Sequence, residues 1–177
     1  MKTVIRTIPH GLRLIDAEED KYIRLWANEA FGDLEICKRF EYQTGANYCI
    51  LVYSEDELVS FAAVLERSVR FDDDELTLGG VGGVVTAPEH RGRGFASMAM
   101  KESVRVIFRT LKADVGGLLC LNETVGFYEK LGWKLSHAKV MVELKGSNVV
   151  WPEAFMFYER DGSCFNPKNI DVCGRPW

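Results

Sequence analysis

No stretch of these 177 residues is apolar for long enough to span a membrane, and residues 1–10 hold no apolar core of signal-peptide length. Cysteine occurs five times, at Cys37, Cys49, Cys120, Cys164 and Cys173, but never as a C-x-x-C pair. An odd set of this kind, with Cys49 and Cys120 inside apolar strand-like runs, argues against a disulfide framework or a zinc site and for a reducing, cytoplasmic setting. The 22 lysines and arginines are scattered rather than striped, and 26 acidic residues outnumber them to give a net charge of -4, so no nucleic-acid footprint is expected. That balance permits a cationic substrate without demanding one. What remains is 47% hydrophobic, the makeup of one globular domain over residues 1–177 that buries roughly two thirds of its unfolded surface.

Read in order, residues 12–15 alternate as a short strand. Asp16 caps a helix that carries Tyr22, Ile23, Trp26 and Ala30 and closes near Gly32, and residues 33–43 read as a second helix with Leu34, Cys37, Phe40 and Tyr42 inward. Residues 48–53 and 58–65 form a hairpin across Ser54-Glu55-Asp56-Glu57. The run Asp72-Asp73-Asp74-Glu75 has the spacing of no calcium loop and is expected to be a solvated turn, with no metal bound. Residues 76–85 then read as a glycine-rich central strand, and Ala96, Met100, Val104, Ile107, Phe108 and Leu111 recur at helical spacing as far as about residue 113. A buried strand over residues 115–121 should lie parallel to the central one, because a crossover helix joins them. Asn122 is placed as an N-cap and Gly132 as a helix stop. Residues 133–144 and 154–158 read as strands, and residues 161–177 as an irregular tail.

The turn between central strand and helix carries the chemistry. Gly92 and Gly94 let the backbone take φ > 0 and approach a bulky ligand, and the helical N–H groups that follow lack intrahelical partners. The helix dipole, Arg91 and Arg93 add positive charge, so a phosphate or diphosphate is the natural occupant. A Walker loop is excluded because no lysine-plus-hydroxyl pair follows Gly94. A dinucleotide fingerprint is excluded because its third glycine position is Ser97.

The segment Arg91-Gly92-Arg93-Gly94-Phe95-Ala96, preceded by Val84-Val85-Thr86, resembles the acyl-CoA signature [QR]-x-x-G-x-[GA] of the GCN5-related N-acetyltransferases, the GNAT superfamily. Asn122, Phe127 and the run Tyr128-Glu129-Lys130-Leu131-Gly132-Trp133 resemble that family's second motif, in the expected order and at an expected distance. Together the likeness covers most of residues 12–144. It implies a mixed α/β fold in which a twisted sheet with a splayed strand pair carries helices on both faces. It also implies acetyl-CoA as co-substrate, held by main-chain groups of Val84, Val85 and Thr86, by the turn from Arg91 to Ala96, and by Asn122 and Phe127. Tyr128 would lie beside the thioester sulfur as its proton donor.

A glutamate on the central strand often serves relatives as general base, but Gly82, Gly83 and Val84 stand there instead. Glu75, Glu89 and Glu153 remain as alternatives, or no strong base is needed because proximity carries the reaction. Within the superfamily the chain is most similar to the aminoglycoside 2′-N-acetyltransferases, through Ala30-Phe31-Gly32-Asp33 and a closing Trp177. That likeness implies that Asp33 and Trp177, with Gly82 and Gly83, face a cationic amine, and Glu35 is a further candidate contact. Arg175 departs from it, standing where an acid is expected. The expected partner is a small-molecule amine, with no nucleic acid and no membrane, and a homodimer is allowed. A longer or carrier-linked acyl donor, and a CoA-binding module without turnover, are the alternatives.

Overall fold

Two acidic connections fold the middle of the chain into an antiparallel meander. Glu55 and Asp56, with φ of 51° and 71°, join β2 (Tyr48–Ser54) to β3 (Glu57–Phe71), and Asp72, with φ of 51°, begins the turn from β3 into β4 (Asp74–Thr86). Positive φ at such positions matches the twist of the flanking strands. Asp74 and Glu75, expected in the loop, are already paired with Phe71 and Arg70.

The computed structural model describes residues 2–9, 15–39, 45–160 and 162–177. Its other elements are β1 (Thr3–Pro9), α1 (Ala17–Phe31), α2 (Glu35–Arg39), α3 (Phe95–Arg105), β5 (Val115–Cys120), α4 (Val125–Glu129), β6 (Lys134–Leu135), β7 (Lys139–Leu144), β8 (Ser147–Val150), β9 (Ala154–Glu159) and β10 (Asn169–Asp171). Among the described residues the strands form one sheet in the order β6-β9-β5-β4-β3-β10-β7-β8, with β2 and then β1 added beside β3. Only β4 with β5 and β7 with β10 run parallel. The class is the mixed α/β one expected, with a mostly antiparallel sheet flanked by helices.

Alternation along β2 shows how two faces are buried. Ile50 and Val52 join the cluster under α3 with Val81, Phe95, Met100 and Ile107, whereas Cys49, Leu51 and Tyr53 pack under α1 with Ile23 and Trp26. Successive strand residues point to opposite sides, so helices cover both. Helix α1 begins as anticipated: Asp16 accepts from the Glu18 and Glu19 N–H groups at 2.9 and 2.8 Å, and Glu19 returns a bond to the Asp16 N–H, a capping box that contributes about 1 kcal/mol.

Several expectations are corrected. The first strand is Thr3–Pro9, which pairs antiparallel with β2. It carried little sequence signal because it is a sheet edge on which only Ile8 is buried, while Val4 and Ile5 stay exposed. Residues 12–14 of the expected strand lie outside the described residues, and Ile15 sits in a bend. Helix α2 covers only Glu35–Arg39, and the remainder of the expected second helix, with Phe40 and Tyr42, lies outside the described residues. The expected strand over residues 133–144 is broken into β6 and β7, because the Ser136 hydroxyl accepts from the Ala138 N–H and turns the chain away from β9. After α3 the chain winds into a π-turn, Val106–Thr110, closed by the Leu111 N–H on the Val106 carbonyl at 3.0 Å. The buried stripe is accordingly Phe95, Ala99, Met100, Ser103, Val106 and Ile107, in place of one continuous 3.6-residue register.

The tail is the largest departure. It is not irregular throughout, since Asn169–Asp171 forms β10 between the end of β3 and β7. Asp72 anchors it: its carboxylate accepts from the Lys168 N–H at 3.1 Å and the Asn169 N–H at 2.9 Å, and these bonds hold its pKa below the ordinary aspartate value. A carboxyl depressed in the folded state stabilises the fold above its unfolded pKa, and that contribution is lost as the pH falls through the folded value. We expect the tail to loosen first on acidification from about pH 4 downward, seen as faster amide exchange at Asn169 and Ile170. Asp72→Asn should show that exchange already at neutral pH, and unchanged protection would refute the anchor.

Candidate functional site

The strand that leads into the turn is bent where it matters. Opposite β3, Phe61 pairs with Val85 but Ala63 with Gly82, so Gly83 and Val84 together face Ala62 as a bulge, and Gly83 has φ of 59°. The buried Ser60 hydroxyl fixes the far side, donating to the Val85 carbonyl at 2.8 Å and lying 2.9 Å from the Thr86 hydroxyl. On the other edge β4 pairs with β5 only from Leu78–Val115 to Val81–Leu118. Beyond Val81 the two strands diverge, β5 staying with β9 out to Cys120, so the main chain around residues 82–86 faces a wedge instead of a ladder.

A single turn, Pro88–His90, separates β4 from the glycine segment. Gly92 and Gly94 have φ of 74° and 86°, and Gly94 is the left-handed N-cap of α3. A Cβ at either position would meet no atom within 4 Å, so open space lies in front of the turn. Phe95 is 2% exposed and sinks into the core. Its side chain is therefore an anchor, leaving its N–H to face the turn, and Ala96 is half-buried behind it. Arg91 bridges to Glu29 of α1 at 3.0 Å and donates to the Thr86 carbonyl at 3.3 Å, which ties the turn to both helix and strand.

Across the wedge, the chain leaves β5 through a 3₁₀ turn, Asn122–Thr124. Asn122 opens this turn, so the expected N-cap role is corrected: Thr124 precedes α4, and the Asn122 N–H donates instead to Glu153 at 3.0 Å. Tyr128 lies on α4 with its ring edge-on to Phe127, centroids 4.9 Å apart. Burial first, and then the nearby Cys120 thiol, push the Tyr128 phenol well above its ordinary value. The Cys120 thiol is itself raised by burial. The phenol thus holds its proton throughout the neutral range. Gly132 ends the segment with φ of 89°, as expected.

On the opposite face the tail reaches β4. The Trp177 indole donates to the Val81 carbonyl at 3.1 Å, and a Cβ on Gly80 would lie 2.8 Å from the indole ring. A Cβ on Gly82 would come within 3.1 Å of the same ring and 3.2 Å of the Trp177 main chain. Arg67 holds this arrangement, donating to the Val172 and Arg175 carbonyls at 3.2 and 2.8 Å with its guanidinium 5.0 Å from the tryptophan ring. Burial lowers its pKa. Ile36 of α2 packs on the cluster that contains Trp177, so α2, the tail and the bulge share one face.

A strand bulge thus leads into an open glycine turn beside a diverging parallel neighbour, and residues 13–136 match the acetyltransferase (GNAT) domain family. The chain belongs to the GNAT acetyltransferase family. Solved structures agree on the fold. Escherichia coli ElaA is 19% identical, with 89% of this chain and 100% of that one covered at a TM-score of 0.59. Escherichia coli YhbS, a GNAT family N-acetyltransferase in complex with CoA, is 15% identical over 96% of this chain and 89% of its own at a TM-score of 0.60. A GCN5-related N-acetyltransferase from Kribbella flavida is 21% identical at a TM-score of 0.54, and there 75% of this chain spans 34% of a longer protein. By sequence the chain matches no curated protein.

Within this GNAT fold, Val84, Val85, Thr86, Arg91, Gly92, Arg93 and Gly94 lie on one continuous stretch to the head of α3; Phe127 and Tyr128 pack on the same core cluster as Val84, and Asn122 opens the turn before α4. Gly82 and Trp177 come together, whereas Gly83 faces Phe61. Asp33 sits exposed in the turn between α1 and α2, and Glu35 is exposed with Lys38 beside it at 3.3 Å. Of the three base candidates, Glu75 is at the far end of β4 and Glu89 beside the glycine turn. Glu153 alone shares the end of β5 with Cys120 and Asn122. Cys120, Ser60 and Arg67 were not anticipated, because each acts through partners 8 to over 100 positions away in sequence.

Proposed function

We propose that this GNAT chain is an acetyl-CoA-dependent N-acetyltransferase that moves an acetyl group to a primary amine of a small molecule. The observation that carries the reading is the open space in front of Gly92 and Gly94, at the head of a helix reached directly from a strand that diverges from its neighbour. The first N–H groups of α3, with Arg91 and Arg93, suit a diphosphate. The wedge suits an extended arm that pairs with the main chain around Val84 to Thr86, with Asn122 and Phe127 on its other side. Acetyl-CoA supplies an activated acyl group as a thioester.

In this reading Tyr128 would give the departing sulfur its proton, and a main-chain N–H near Val84 would polarise the carbonyl. The amine would enter between α2 and the tail, over Gly82 and Gly83 and past Trp177 and Asp33. Glu153 is the carboxylate best situated to relay its proton, and proximity reduces the demand on any base. An aminoglycoside remains a reasonable acceptor to try, since the charge of Arg175 is met by Glu143 at 3.7 Å.

Release of free thiol, followed with a chromogenic reagent, tests the reading over a panel of aminoglycosides and polyamines. Amine-dependent release with acetyl-CoA is expected for at least one. Calorimetric binding of acetyl-CoA with no release for any amine would overturn it in favour of a binding module, and release only with longer acyl donors would reassign the donor.

A further inference from the structure

Arg93 stands between two glycines that offer it no neighbouring side chain, so something else must fix its long, flexible arm. We propose that His90 does so, holding Arg93 by a hydrogen bond with the Glu57 carboxylate on its other side, so that the guanidinium is presented to the diphosphate; His90 is then a positioning residue for donor binding. The inference rests on reading the turn as a diphosphate seat.

The Arg93 Nη1 lies 2.9 Å from His90 Nδ1. A guanidinium donates and cannot accept, so Nδ1 carries the lone pair and the ring proton is on Nε2. That nitrogen lies 3.4 Å from a Glu57 carboxylate oxygen. The carboxylate thus stands on the protonated side of the ring, where its charge favours the tautomer that can hold arginine. The histidine side chain is only 13% exposed. Its ring stands edge-on to Phe95 at 5.9 Å, and the Arg93 guanidinium lies 5.4 Å from the same phenyl ring. Phe95 is the first residue of α3 and is locked in the core, so both groups rest on a fixed surface. An arm already held in its bound geometry loses less freedom when the ligand arrives.

Glu57, Glu89 and His90 also bring ligand atoms within 4.8 Å of one another. A cation there would have to sit beside the guanidinium already on Nδ1 and displace the proton facing Glu57. The charges and the tautomer favour the arginine contact instead.

Calorimetric Kd values for acetyl-CoA, measured on the full chain, test the idea. His90→Phe keeps a ring against Phe95 but removes both nitrogens, and it should raise the Kd about tenfold. His90→Asn places an amide oxygen where Nδ1 was, and it should stay within about threefold of wild type. In an Arg93→Ala background His90→Phe should change the Kd by less than about twofold, because the histidine acts only through the arginine. Full additivity of the two substitutions, a His90→Phe protein that binds like wild type, or a His90→Asn protein as weak as His90→Phe would each overturn the proposal. If the wild-type protein itself fails to bind acetyl-CoA, the diphosphate reading falls and this inference with it, a result distinct from the other three.

Discussion

Gly94→Val is expected to cut acetyl-CoA affinity by more than about a hundredfold while leaving the sheet intact. Gly94 has φ of 86°, which a β-branched residue adopts at a cost of about 1–2 kcal/mol, so a modest fall in Tm should accompany the change. No atom lies within 4 Å of the added Cβ, so the side chain would not clash with the fold; it would stand in the space in front of the α3 N–H groups. Strain and obstruction can be separated with Gly146, in the turn between β7 and β8, where φ is 78° and a Cβ again meets nothing. Gly146→Val should lose a similar amount of stability with acetyl-CoA affinity unchanged. Calorimetry and thermal melts on both proteins decide the matter, and undiminished affinity in Gly94→Val would place the diphosphate elsewhere.

That contrast also explains why the turn could be read from the sequence while other parts could not. A left-handed residue at a helix N-cap is a local demand, and Gly92 and Gly94 answer it within a few positions. The Asp16 cap and the acidic hairpin turn at Glu55 and Asp56 are legible for the same reason. Edge strand β1 and tail strand β10 are different. Their residues carry weak alternation, and what makes them strands is a partner elsewhere: Thr3 to Pro9 along β2, and Ile170 beside Phe71 and Val140. The π-turn after α3 is likewise set by how Val106 and Ile107 must reach the sheet, which no local periodicity announces.

Gly80 and Gly82 show how a residue can be seen and still misread. In the sequence they mark a glycine-rich strand, and Gly82 is one of three positions, with Gly83 and Val84, where a glutamate is expected. In the fold they are the two positions over which Trp177 lies, its indole bonded to the carbonyl between them. A Cβ at position 80 would come within 2.8 Å of that ring, and one at position 82 would press on it at 3.1 Å. The arrival of the tail on β4 became visible only when residues separated by 96 positions met. Arg67 reinforces the point, because a lone arginine on a strand gives no hint that it clasps two tail carbonyls.

Tyr128→Phe should lower kcat about a hundredfold and leave the acetyl-CoA Kd within about twofold, the signature of a group that acts on the leaving sulfur and not on ground-state binding. Packing is preserved, since the phenylalanine ring can keep the edge-on contact with Phe127. The forces that raise the Tyr128 phenol are burial and then a neighbouring thiol, both of which disfavour the phenolate and keep the phenol protonated. The same shift fixes the sign of the pH dependence: with a phenol above its ordinary value of about 10, wild-type kcat should show no alkaline loss from Tyr128 below that pH. Cys120→Ser should leave this profile intact, because burial is the larger of the two causes. A Tyr128→Phe enzyme that turns over within twofold of wild type would remove the phenol from the reaction. One that loses affinity and turnover equally would make Tyr128 a wall of the donor site and not its acid.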